Sequence, residues 1–237
     1  MFGPAREADD LGIATMSGAG IQQRRRGRPP GSDGARTRAL IIAAAREGFS
    51  GAGYSLTTRA TIAARIGHSA ATVGTYFPSK HALYAEVVAC TTAEVIAVGT
   101  AAAARADTLG EQLAAFLEAV MDLHSRHPSV TTFFSISLID TYRRPEFMPN
   151  TEVPHTRIEK LLSRAVDAAV ARGELDPEVD TIGLVETIRV AVFGICVHLA
   201  RHREGGSINP ALTAGLQELI SAVVSGFASP VHDLVSP

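Results

Sequence analysis

The stretch that most restricts how this chain folds is residues 57–80, TTRATIAARIGHSAATVGTYFPSK. Two short helical segments, 58–66 and 69–77, flank a turn at Gly67-His68-Ser69. The first sets Ile62, Ala63 and Ile66 on one face, and the second offers Val73 and Phe77 as apolar contacts. Pro78 stops the second, because a proline ring clashes with continued helix. Two short helices joined by a tight, glycine-containing turn form a helix-turn-helix. In that motif the second helix lies in the DNA major groove and the first crosses the backbone. Alone, the stretch fits two small packed helices of an ordinary helical protein equally well. Its flanks decide the matter.

Charge is divided sharply along the chain. Residues 24–81 carry 10 Lys/Arg against 2 Asp/Glu, whereas residues 82–237 carry 11 against 19. A basic head on an acidic body is the asymmetry expected when one end binds a polyanion. A swing this large over so short a stretch argues against chance clustering on a solvated face. The most basic run is residues 24–31, RRRGRPPG, which Gly27, Pro29 and Pro30 keep from being helical. An extended, charged arm is expected there, following a disordered segment over 1–23. Arg26-Gly27-Arg28-Pro29 resembles the core of an AT-hook, whose arginines enter the negative potential of a narrow minor groove. A basic tail that binds phosphate without preference fits as well. Either raises DNA affinity in a salt-dependent way.

The rest reads as helices separated by turn signals. Helix is expected over 33–52, with Leu40, Ile41, Ala44, Ala45, Gly48 and Phe49 on one face. Tyr54 and Leu56 are expected to tuck beneath the helix-turn-helix. A long connector follows over 80–104. Amphipathic helices come next over 109–127, 129–141, 155–172, 181–203 and up to 227, with a loop over 143–154. No segment alternates convincingly with strand period. The expected architecture is all-α: a three-helix head over 33–78, then a six-helix body over 79–229. Residues 1–32 form an N-terminal extension and 230–237 a tail.

At 46% apolar the chain can bury a substantial core. Cys90 and Cys196 match no metal or redox spacing and read as reduced and inert. His198 and His202 stand i, i+4, but no third ligand accompanies them, so no metal and no cofactor is expected. The longest apolar run, 190–197, is too short to span a bilayer, and no secretory signal is visible. A cytoplasmic protein without a membrane partner is expected. No nucleophile–base pair or paired acid suggests an enzyme.

Residues 39–53, ALIIAAAREGFSGAG, resemble the first helix and glycine stop of the TetR family of transcriptional regulators. Thr58, Ile62-Ala63, Gly67, Ser69, Thr72, Phe77-Pro78-Ser79-Lys80 and Leu83 match its motif in one register. The resemblance implies a nine-helix homodimer with its interface on the last two helices. It also implies a ligand pocket among the middle helices, whose occupation releases DNA. Two positions depart from the family pattern. Gly74 stands where a phosphate-contacting tyrosine is common, and Ala70 where a basic residue is common. Segment 69–77 therefore has no charge.

For phosphate, the candidates are Arg24, Arg25, Arg26, Arg28, Thr58, Arg59, His68, Tyr76 and Lys80; Lys80 opens a helix, where free N–H groups add to an anion site. Tyr76 fits equally as a ring packed within the head, and His68 as a surface residue. Ser69, Ala70, Thr72 and Thr75 are the small residues placed to meet base edges and thymine methyls. Specificity is expected to lean on the arm and on DNA shape. For an unknown small apolar ligand, the candidate lining is Phe116, Leu117, Phe133, Phe134, Leu138, Phe147, Met148, Ile188 and Val192. Polar handles are His124, Tyr142, His155 or Thr187. Plain core packing is the competing account of each apolar residue. The expected function is a sequence-specific, homodimeric DNA-binding regulator, a repressor that its ligand releases from the operator. The alternative is a helical ligand-sensing or ligand-carrying dimer with weak or shape-only DNA binding.

Overall fold

The computed structural model describes residues 32–143, 154–201 and 210–228. The arm residues Arg24, Arg25, Arg26 and Arg28 lie outside the described residues, as do Phe147, Met148, His202 and the side chain of Tyr142. Among the described residues there are nine helices and no strand.

Helix α1 (Ser32–Leu56) buries Ile41, Ala44, Ala45 and Phe49, one stripe at helical spacing. Its regular path breaks at Gly53, where φ is 81°, one residue past the expected end. Tyr54 turns inward onto Phe49, their rings 5.8 Å apart. Leu56 does not follow it and is 73% exposed. The turn that aims Tyr54 into the head leaves Leu56 on the outside.

Helix α2 (Arg59–Arg65) starts at Thr58, whose hydroxyl accepts from the Thr61 N–H while the Thr61 hydroxyl accepts from the Thr58 N–H. This reciprocal box satisfies two of the donors that a helix start leaves open. Gly67 then adopts φ 68°, a left-handed turn that other residues enter only at a penalty. Helix α3 (Ala70–Tyr76) begins at Ser69, whose Oγ accepts from the Thr72 N–H at 3.1 Å. Helix α4 (Lys80–Ala103) begins at Ser79, whose Oγ accepts from the Ala82 N–H.

The head core does not stop at residue 78. Leu83, Tyr84, Val87 and Val88 of α4 belong to it, and so does Phe133 of α6 (Pro128–Arg143). Tyr84 stands edge-on to both Phe49 and Phe133, with centroid separations of 5.0 and 5.4 Å. Its hydroxyl, at the end of a fully buried ring, donates to Asp140 of α6 at 2.9 Å. Across α1 and α4, Arg38 pairs with Glu86 at 2.7 Å and Arg46 with Glu94 at 2.6 Å. Head and body are thus joined by side chains from three helices.

The body adds α5 (Leu109–Arg126), α7 (Pro154–Ala171), α8 (Thr181–Arg201) and α9 (Pro210–Ala228) to α4 and α6. Helix α5 opens on a second capping box, Thr108 with Glu111. Its first N–H also reaches the Glu174 carboxylate from the turn before α8. Gly99 lets α4 and α5 approach closely, since a Cβ there would stand 2.3 Å from the Phe116 ring. A second apolar core runs through Leu117, Val120, Phe134, Ile158, Leu162, Leu184 and Ile195. Each core holds one cysteine. Cys90 packs half-buried against the head core, and Cys196 is buried in the body core. Burial raises the Cys90 thiol above its ordinary pKa and pushes that of Cys196 up to about 12.

Helix α4 and residues 181–198 of α8 are long and apolar enough to cross a bilayer, although no uninterrupted apolar run is. In α4 much of that apolar surface is taken up by α1, α5 and α6. In α8, Ile182, Val190, Phe193 and Val197 remain exposed along one side.

Candidate nucleic-acid interface and body cavities

The helix-turn-helix is held from inside by Ile62, Ala63, Val73 and Phe77, all buried. That leaves Ser69, Ala70, Ala71 and Thr75 exposed on α3, with Thr72 and Gly74 half-buried. All three of the hydroxyls here are already engaged locally. Ser69 and Thr72 share a 2.9 Å hydrogen bond, and the Thr75 Oγ1 donates to the Ala71 carbonyl at 3.1 Å. Each retains acceptor capacity, so α3 presents methyls and oxygen acceptors, with no charge of its own.

Cations reach this face from neighbouring elements. Arg59 lies across α3, donating to the Pro78 carbonyl, with its Nη1 3.5 Å from where a Cβ on Gly74 would stand. Lys80 donates to the Ser55 carbonyl at 3.1 Å and rests 4.3 Å above the Tyr54 ring, where partial burial lowers its pKa. It therefore also ties the end of the motif to the turn before α2. Tyr76 is half-buried and packs on the head core, its hydroxyl toward Gly34 at the start of α1. His68 and Thr58 are exposed. Three head arginines that swell the charge count have acidic partners: Arg38 and Arg46 on α4, and Arg65 with Glu47 at 3.2 Å. Arg36, exposed on the first turns of α1, is a further cation on the head that the sequence reading passed over.

This head has a known counterpart. Residues 41–87 match the family model of bacterial regulatory proteins, tetR family. Over these residues the chain is similar to the TetR family. No curated protein sequence matches it significantly. Solved TetR-like structures share the fold along most of their length. A TetR family transcription regulator from Marinobacter aquaeolei VT8 is 20% identical, with a TM-score of 0.63 over 84% of this chain and 98% of that one. The fatty acid degradation regulator FadR from Bacillus halodurans is 14% identical, with a TM-score of 0.63 over 87% and 98%. The ketosteroid transcriptional regulator KstR2 of Mycobacterium tuberculosis is 18% identical, with a TM-score of 0.59 over 82% and 96%. What these structures share with the chain is the all-helical fold.

Within the TetR-like body lie two neighbouring cavities. One, of about 300 Å³, lies among α4, α5, α7, α8 and α9 and is bordered by Phe116, Leu117, Ile188 and Val192 of the expected lining. Leu113, Ile195, Ile220 and Val223 complete its apolar wall. Its polar borders are Thr100, Gln112 and Arg164. The other, of about 370 Å³, lies between α6, α7 and α8 and is bordered by Phe134, Leu138 and His155 of the expected set. Arg143 and Arg189 also border it, and sequence periodicity gave no sign of either. Both volumes fall within the range of small-molecule pockets, about 300–1,000 Å³.

Three residues of the expected ligand set stand elsewhere. Phe133 is fully buried in the head core, because its turn of α6 faces α1 and Tyr84. His124 is fully buried and shares a 2.6 Å hydrogen bond with Thr131, a pairing that serves the α5–α6 packing. Thr187 is exposed and donates back to the Gly183 carbonyl.

Proposed function

We propose that the chain acts as a homodimeric, operator-binding repressor whose body takes a small ligand that lowers DNA affinity. The observation that carries this reading is the exposed face of α3. It is capped, held by a buried apolar core and free of any covering element among the described residues. Phosphate contacts position such a head and base-edge contacts specify sequence. Arg59 lies across α3, Lys80 opens the helix that follows it and Arg36 is exposed on α1, while the small residues of α3 allow close approach to base edges. Arg24, Arg25, Arg26 and Arg28 supply further charge from the arm. The names of the two relatives linked to fatty acid degradation and to ketosteroids support a largely apolar effector.

Dimerisation follows from α8 and α9. The exposed Ile182, Val190, Phe193 and Val197 of α8 and Leu219 of α9 make an apolar face that a second copy would bury. Phe193→Glu is expected to shift the protein from dimer to monomer in sedimentation. Two copies supply two recognition helices for a two-fold site.

The test is a gel-shift with the DNA upstream of its own gene across a salt series, using the full chain and one truncated before Arg36. Sequence preference over random DNA is expected, with a shallower salt slope after truncation. Uniform weak binding would overturn the regulator reading in favour of a ligand-sensing dimer. An unchanged preference and slope after truncation would remove the arm from the mechanism.

A further inference from the structure

The two body cavities differ in their polar ends, and they touch. Ile158 and Val192 border both. In the α5-side cavity the Thr100 hydroxyl donates to the Ile96 carbonyl and the Gln112 amide to the Ala106 carbonyl, so both are used within the protein. Arg164 borders that cavity from the exposed side of α7. In the α6-side cavity, Arg143 at the end of α6, His155 in the first turn of α7 and Arg189 in the middle of α8 surround the apolar Phe134 and Leu138.

Arg189 is the most informative of these. Its Nη2 donates to Glu186 one turn back, a pair that is half exposed. Its Nε is buried and meets no acceptor among the described residues. A buried donor without an acceptor is destabilising, and a guanidinium fork is shaped to receive a carboxylate. With Glu186 occupied by one nitrogen, Arg143 and Arg189 still leave this end of the cavity positive. The opposite end of the joined space is walled by Leu113, Phe116, Ile195 and Val223.

From this polarity we propose that the body binds an amphipathic carboxylate, its anionic end at Arg189, Arg143 and His155 and its apolar end passing Ile158 and Val192 into the α5-side cavity. This deepens the effector reading above and rests on it for the existence of a bound ligand. It replaces a purely apolar effector with one whose charge is recognised. The carboxylate meets a buried donor that has no other acceptor among the described residues, which offsets the desolvation of both groups. The chain of the ligand takes up apolar wall on both sides of Ile158.

The experiment is calorimetric titration of the full-length protein, without DNA, with decanoate, 1-decanol and decyltrimethylammonium. Decanoate is expected to bind about tenfold tighter than decanol, the gain of roughly one charge-assisted hydrogen bond. Arg189→Gln should collapse that ratio. Arg143→Gln should reduce it, and Arg189→Lys should restore part of it. Circular dichroism of each variant shows whether it folds. If Arg189→Gln does not, the Arg143→Gln and Arg189→Lys ratios decide. Equal affinity for decanol and decanoate, preference for the cation, or no binding of any probe would overturn the proposal. So would loss of the ratio in Arg164→Gln but not in Arg189→Gln, which would place the acid at the other end. Failure to bind upstream DNA would sink the regulator reading and leave this result standing.

Discussion

The head and the body are both helical and both rich in alanine and branched aliphatics, yet they are packed differently. The head is closed with one side chain lent by α6. Its core joins Ile41, Phe49, Val73, Leu83, Tyr84 and Phe133, and two ion pairs cross from α1 to α4. The body holds two cavities and leaves a row of apolar side chains on α8 in the open. Protein interiors are close-packed by default, so space and bare apolar surface in one half point to something else that fills them. The lesson is one of division. The half that presents α3 is closed by its own residues together with Phe133, while the other half has room for a ligand and an apolar face that a second chain would cover.

That contrast breaks most readily at Phe133, the body residue that closes the head core. Phe133→Ala should destabilise the protein by about 3–5 kcal/mol, read from urea unfolding. An effect under 1 kcal/mol would mean that the head closes without it. Next comes Gly99, where α4 meets α5. A methyl group there drives the Phe116 ring off its seat at the border of the cavity. Gly99→Ala should cost about 1–3 kcal/mol. The double variant Gly99→Ala/Phe116→Ala should cost less than the sum of the singles. Additive losses would show that the ring is not what the methyl strikes.

Smaller effects sharpen the head side. Gly74 sits inside α3, where alanine is the better helix former by roughly 1 kcal/mol. The added methyl would meet Arg59 Nη1 at 3.5 Å, an ordinary contact. Gly74→Ala should therefore raise the midpoint of unfolding. If it also weakens operator binding, the close approach that glycine allows matters more than helix stability. The smallest change expected is at Glu86, whose carboxyl the hydrogen bond from Arg38 holds below the usual carboxylate range. A depressed folded-state pKa contributes stability above the unfolded-state value and loses it as pH falls through the folded one. Glu86→Gln should thus flatten the acid side of the stability profile. The pair is partly exposed, so the effect at neutral pH should stay under about 1 kcal/mol.

Local structure was the legible part. Thr58 and Ser69 sit one residue before helices, Gly67 sits where a left-handed turn is needed, and Pro78-Ser79 separates α3 from α4; each acts over three or four residues, within reach of pattern reading. The TetR resemblance followed from those same positions. What lay out of reach was which turn of a helix meets which neighbour. Phe133 and Phe134 are adjacent in sequence, yet one belongs to the head core and the other to a cavity wall. Arg38 and Arg46 read as DNA-directed charge because Glu86 and Glu94, their partners, are 48 residues along the chain. Arg189 lies on the half-buried flank of a strongly apolar helix, where periodicity marks a stripe and says nothing of what faces it.

The placement of the two thiols gives this contrast a clock. Cys90 lies half-buried against the head core, and Cys196 is buried in the body core. Reagents attack the thiolate, so the buried Cys196 should react only as the body opens, and the half-buried Cys90 faster. With no other cysteine in the chain, one mass-resolved labelling course records the breathing of both halves in the unmodified protein. A ligand seated among α6, α7 and α8 should slow the second clock without touching the first.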